Sequence, residues 1–214
     1  METTIDFCEL AEVLSNRVLE YYHEEDWKPL KDEDNITVMC KKSRDFSGNV
    51  YRGDCTIPLE PEKALSYFLP HPHGRRQKWD SSVAECQVLI EVTKDITISK
   101  VSATKLLQGL ISDRDFIHLD VVKRFPELGF TCVNSCSIDH KDYPPGDDYV
   151  RGTTHPSGFF LKKHNKDRYK TNLTYIAQAE ANGRIPRYLT EAATGSHIIG
   201  VFKDMINDIE STKV

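Results

Sequence analysis

Residues 83–124 read VAECQVLIEVTKDITISKVSATKLLQGLISDRDFIHLDVVKR. Short apolar runs over 83–92, 96–101 and 115–123 carry the length and residue types of β-strands. The first two are joined only by Thr93-Lys94-Asp95, too short for a crossover helix, so the pair is antiparallel. The connection over 102–113 breaks the pattern. Leu106, Leu107, Gly109, Leu110 and Ile111 make it too apolar for an idle solvent loop.

Toward the C-terminus the strand pattern continues over 130–138, 149–162 and 170–181, with turn signals at Pro126-Glu127-Leu128-Gly129 and Tyr143-Pro144-Pro145-Gly146. Toward the N-terminus, strands are expected around Ile36, Val38 and Cys40 and over 49–57, the latter after the turn Ser47-Gly48-Asn49. A first helix starts at the capping-box pair Asp6 and Glu9. It carries Phe7, Leu10, Leu14, Val18 and Tyr21 on one stripe and closes at Trp27-Lys28-Pro29. Pro61 opens a short helix with Leu65, Phe68 and Leu69. A long last helix begins at Pro186 and runs to about Ile209, with Leu189, Ala192, Ser196, Ile199, Phe202 and Ile206 on its stripe. The fold class is therefore α+β, with 1–214 as one domain and a curved antiparallel sheet around the long C-terminal helix. Such a concavity becomes a pocket of roughly 300–1,000 Å³ wherever side chains do not fill it.

Composition narrows the function. The chain has 214 residues, 39% of them hydrophobic, and a net charge of −5. The charge argues against a nucleic-acid partner, and no run approaches the roughly 20 apolar residues of a membrane span. The start METTIDFCEL has no basic or apolar leader character, so a cytoplasmic location is expected. The six cysteines are then free thiols, buried or lining a cavity. No CxxC pair and no Cys/His group with metal-ligand spacing occurs, so neither metal nor cofactor is expected. His155, flanked by Pro156 and Gly158, reads as a structural histidine in a bent strand. No nucleophile–base set is legible, which argues against an enzyme.

Several segments, taken in order, are similar to one family. Ile111-Ser112-Asp113-Arg114-Asp115-Phe116-Ile117 with Val122-Lys123-Arg124 resembles the SPRDF…KR signature of StAR-related lipid transfer (START) domains, Asp113 replacing the usual proline. Arg151-Gly152-Thr153-Thr154-His155-Pro156-Ser157-Gly158 resembles the family's RGxNHPxG segment, with Thr154 in place of Asn. Trp79-Asp80, Phe46 to Arg52, and Lys170-Thr171-Asn172-Leu173-Thr174 followed by Gly183 and Pro186 complete the set. The likeness is to the short, single-domain branch associated with cholesterol, oxysterols and bile acids.

The resemblance implies a helix-grip fold enclosing a lipid tunnel lidded by the last helix. It implies a gate at Leu106, Leu107, Leu110 and Ile111 in the first Ω-loop. The acid–base pair that often meets a sterol hydroxyl in this family falls here on Val101 and Asp120, so the pair is missing. Asp120 shares a strand face with Phe116 and His118, and His118 is placed to hydrogen-bond it. The alternative is a bulge that turns Asp120 to water. Family register turns Cys132, Asn134 and Cys136 inward, against the alternative of a core face packed on the C-terminal helix. Asp80 reads either as tunnel wall or as a carboxylate holding a strand start. Ile199 and Phe202 complete the candidate ligand-binding set. Arg114 and Asp115 are expected to tie the Ω-loop base through charge-assisted hydrogen bonds. Lys162, Lys163, Lys166 and Arg168 read as a solvated hairpin tip or as a membrane-docking patch, with Arg75, Arg76 and Lys78 as a smaller basic group. The expected function is a monomeric cytosolic carrier of one sterol or related lipid with transient membrane contact. The alternative is a binder or sensor of a bile acid, carotenoid or other hydrophobic molecule.

Overall fold

A computed structural model describes residues 6–104 and 112–212. Helix α1 (Phe7–His23) starts where Asp6 Oδ1 accepts from the backbone N–H groups of Cys8 and Glu9, at 2.9 and 3.3 Å. Strands β1 (Lys28–Glu33), β2 (Ile36–Lys42) and β3 (Asn49–Ile57) follow. The β1–β2 loop is the two-residue Asp34-Asn35, both at positive φ, which is the turn whose twist matches a hairpin. Two short helices, α2 (Pro61–Phe68) and α3 (Arg76–Trp79), lead into β4 (Val83–Thr93), β5 (Ile96–Ala103), β6 (Arg114–Phe125) and β7 (Phe130–Ser137). The chain then makes β8 (Val150–Arg151), β9 (Thr153–Thr154), β10 (Ser157–Lys163), β11 (Thr171–Ala177) and β12 (Ala179–Glu180) before α4 (Arg187–Ser211).

The main sheet runs β1-β2-β3-β11-β10-β7-β6-β5-β4, antiparallel throughout this path, with β8 added parallel to β6. β9 and β12 form a separate two-stranded ribbon. The expected single strands over 149–162 and 170–181 are therefore divided. Gly152 breaks the first because Phe116 lies against it, and a Cβ there would come within 2.2 Å of the Phe116 ring. β1, where sequence patterning only closes the first helix at Trp27-Lys28-Pro29 and expects no strand, is an exposed edge strand, bulged between Pro29 and Lys31.

Both faces of the sheet are covered. On one, Ala11, Leu14, Val18 and Tyr21 of α1 pack on Ile98, Ile117, Leu119, Phe160 and Ile176. On the other, α2, α3 and α4 pack on Tyr51, Cys55, Phe159, Leu161 and Leu173. α4 approaches β3 closely at Gly53, where a Cβ would meet Ile198 at 2.7 Å and Phe202 at 2.8 Å. Arg114, at the start of β6, donates from Nε to the Ala181 carbonyl at 2.9 Å, from Nη2 to the Asn182 carbonyl at 3.2 Å, and from Nη1 to the Ser112 carbonyl. Asp115 takes a two-point salt bridge from Arg151, both contacts at 2.9 Å. Together these tie the ends of β6, β8 and β12 to one another.

Candidate functional site

Side chains do not fill the α4 face of the sheet throughout. Between β5, β6, β7, β10, β11 and the first half of α4 lies a cavity of about 260 Å³. This is slightly smaller than the expected range, and the bulky residues Phe116, Phe159 and Tyr175 are among those lining it. Val83, Val101 and Val133 extend its apolar wall. Helix α4 contributes Thr190, Ala193, Thr194 and His197, which recur at three- and four-residue spacing and so form one stripe. These residues are mostly small, so the helix roofs the space without occupying it. A second recess of about 400 Å³ shares Ala179, Ala181, Thr190 and Thr194 with the first and is more polar, with Asn49, Glu180, Asn182 and Glu191 on its wall.

The cavity has a polar end. Arg76 donates from Nε to Asp80 Oδ2 at 3.3 Å, and the Asp80 side chain is only 1% exposed. Asp80 Oδ1 accepts from the Ser82 amide at 3.1 Å and the Ser82 hydroxyl at 2.6 Å. Burial works against the charge of Arg76, but the facing Asp80 outweighs it and holds the guanidinium protonated. His118 Nε2 lies 2.9 Å from Thr154 Oγ1. Burial pushes the His118 pKa down to about 4, although Asp120 pulls the other way. His197 is likewise pushed down by burial, and the Tyr175 phenol is pushed up by it. Near neutral pH this end of the cavity therefore presents one cation among neutral polar groups.

Val101, Phe116 and His118 lie on the cavity wall. Asp120 shares their face, but its two oxygens accept from the hydroxyls of Ser99 and Ser135 on the flanking strands. His118 bonds Thr154 rather than Asp120, so the expected Asp120–His118 hydrogen bond gives way to two serine contacts. Asp80 sits directly behind Arg76 and also holds the start of β4, so both of its readings meet in one residue. Cys132, Asn134 and Cys136 are turned the other way. Asn134 Nδ2 donates to Ser15 Oγ of α1 at 3.2 Å, and Cys132 packs in the α1 core. The inward face of β7 is instead that of Val133 and Ser135. This corrects the expected register, and the covering helix is α1 rather than the C-terminal one.

Ile199 and Phe202 are buried in the α4–sheet core, one turn beyond the cavity stripe, and do not line it. Leu106, Leu107, Leu110 and Ile111 lie outside the described residues. Lys162, Lys163, Lys166 and Arg168 are exposed around the β10–β11 turn. Ser157 at the other end of β10 borders the cavity, six residues or about 20 Å away. Sequence patterning places Arg76 with Arg75 and Lys78 in a smaller basic group, solvated or membrane-docking. The structure places it on the cavity wall, and places Arg75 in a 2.7 Å contact with Asp208 of α4. The i,i+4 spacing of Arg76 and Asp80 around buried Trp79 was the signal for that pair. Tyr175, Thr194 and His197 carried no comparable signal.

Three comparisons bear on this geometry. The START domain family matches residues 6–212. StAR-related lipid transfer protein 6 of Homo sapiens is 33% identical over 196 residues, covering 91% of this chain and 88% of that protein. StAR-related lipid transfer protein 5 of Mus musculus is 30% identical over 183 residues, covering 85% of each. The solved structure of human StAR-related lipid transfer protein 5 superposes with a TM-score of 0.90 at 25% identity, covering 97% of this chain and 98% of that one. No helix among the described residues is long and apolar enough to cross a membrane.

Proposed function

This chain belongs to the START domain family, and from that premise we propose that it carries one hydrophobic lipid, a sterol or a molecule of similar shape, between membranes through the cytosol. The observation that carries the reading is the apolar cavity roofed by the small-residue stripe of α4. Burial of apolar ligand surface supplies the drive, at about 25 cal/mol per Å². Polar groups at one end set orientation, since a buried polar group left unpaired costs about 1–3 kcal/mol.

Carriage fits the chemistry of the walls better than catalysis does. The Cys86 thiol, packed with the cavity-wall residues Val83 and Val101, is pushed up to about 12 by burial, which keeps it protonated and a poor nucleophile. His118 is held neutral and already bonded to Thr154.

The test joins two measurements. Native mass spectrometry of protein expressed in a eukaryotic host should show one bound lipid per chain. A donor-to-acceptor liposome assay should show that the protein accelerates transfer of that lipid. One bound lipid with negligible transfer would convert the reading to a store or sensor. An empty protein that neither binds nor transfers lipid would end it.

A further inference from the structure

The Arg76 guanidinium lies on the cavity wall, and among the described residues it engages a partner through only one of its nitrogens. Nε reaches Asp80, whereas Nη1 and Nη2 find no acceptor among the described residues. The side chain keeps 22% of its surface open, and Arg76 lines the cavity. Asp80 does not line the cavity. It stands behind Arg76 and also accepts from the Ser82 amide and hydroxyl. Among the described lining residues Arg76 is the one with a formal charge, and the nearby His118, His197 and Tyr175 are uncharged near neutral pH.

Building on the lipid-carrier reading, we propose that Arg76 is the anchor for the polar end of the ligand, and that it selects an amphiphile ending in a carboxylate over the matching alcohol. Two terminal N–H groups held in a rigid fork match the two oxygens of a carboxylate, while a hydroxyl offers a single acceptor. An anion entering an apolar cavity is strongly disfavoured unless a cation meets it there, and the wall supplies one. The hydroxyl of Tyr175, which also borders the space, is placed to donate to one of a carboxylate's remaining lone pairs, whereas the single Ser135 donor is committed to Asp120. Asp120 takes no part in this selection, because its oxygens are already held by Ser99 and Ser135.

Displacement of Nile red, a neutral apolar dye, tests the proposal at pH 8, where carboxylate ligands are ionised. Two matched pairs serve as competitors: tetradecanoate against 1-tetradecanol, and a steroid side-chain carboxylate against its side-chain alcohol. The pair showing preference identifies whether the ligand body is linear or fused-ring. The wild-type protein is expected to favour the carboxylate of at least one pair by about 10- to 100-fold. The double variant Arg76→Gln/Asp80→Asn removes both charges and leaves no buried carboxylate unpaired. It is expected to bring that preference below about three-fold while still binding the dye. Arg76→Lys keeps the charge without the fork and should fall between. Circular dichroism checks that each variant is folded, and the wild-type comparison stands even if one is not. Equal or weaker binding of both carboxylates by the wild type would overturn the proposal, as would a preference that survives in the folded double variant. Dye binding with no carboxylate preference removes this proposal and leaves the carrier reading intact, whereas failure of the dye and of all four competitors removes both.

Discussion

The two faces of the sheet are built from the same strands and end differently. Toward α1, Tyr22 stacks on Phe160 with ring centroids 4.2 Å apart, Phe130 meets Phe160 edge to face, and the layer closes solidly around Ile117 and Leu119. Toward α4, the alternate residues of the same strands (Phe116, His118, Val133, Ser135) border a void, His118 and Ser135 bringing polar groups to its wall. Alternation along a strand thus divides two jobs. One face supplies stability through close packing, and the other gives up packing to keep space for a guest.

The sharpest way to break this comparison is to truncate one aromatic on each face. Phe160→Ala is expected to cost about 3–5 kcal/mol, because the surrounding layer cannot collapse into the gap. Phe116→Ala should cost less than half of that, since its ring already borders empty space. Urea denaturation measures both, and equal losses would mean that the cavity face is packed as tightly as the other.

Acidification should weaken the α4 face selectively. His118 titrates at 6.5 when unconstrained and at about 4 in the fold. Between those values the unfolded chain holds the extra proton, so stability rises with pH across that window and is lost as pH falls through it. The loss reaches about 3 kcal/mol below pH 4, and lowered His197 acts in the same direction. His118→Gln, which retains a partner for Thr154, should flatten the urea midpoint between pH 7 and 4.5. An unchanged pH slope would count against a neutral buried His118.

Asp120→Leu leaves the Ser99 and Ser135 hydroxyls without their acceptor and is expected to cost about 1–3 kcal/mol of stability. Its effect on a hydroxylated ligand and on the deoxygenated analogue should be equal. A loss confined to the hydroxylated ligand would return Asp120 to the binding surface. The smallest stability change is expected for Ala193→Leu, under about 1 kcal/mol, because the added carbons enter a void. Lipid occupancy in native mass spectrometry should nevertheless fall, and undiminished occupancy would place the ligand elsewhere.

The antiparallel order, the capped first helix and the long last helix were legible because period-two and helical stripes are strong over long segments. The facing of β7 was not. Phe130, Cys132 and Val133 put apolar residues on both sides, and a strand covered on both faces carries no inside–outside signal. β1 was hidden because Lys28-Pro29-Leu30-Lys31-Asp32-Glu33 has the composition of a linker, and only pairing with β2 makes it a strand. Of the site, Val101 was readable from the family resemblance, and Phe116 and His118 from period two counted off the Asp120 position that the resemblance supplied. Arg76 was not, since an arginine between Arg75 and Lys78 has the look of solvated charge until the α3 turn buries it against Asp80.

The bulged β1 has a bearing on crowding. A sheet that does not close into a barrel ends in two rows of unpaired amides and carbonyls, which are templates for a passing extended chain. Here one border is β1, with Pro29 removing a donor, a bulge beside it, and Lys28, Lys31, Asp32 and Glu33 spread along it. The other border, β4, shifts register three times against β5, which spoils its flatness. Neither rim offers the straight, apolar ladder from which fibrils grow, so the open architecture that leaves room for a cavity is kept from recruiting neighbours edge to edge.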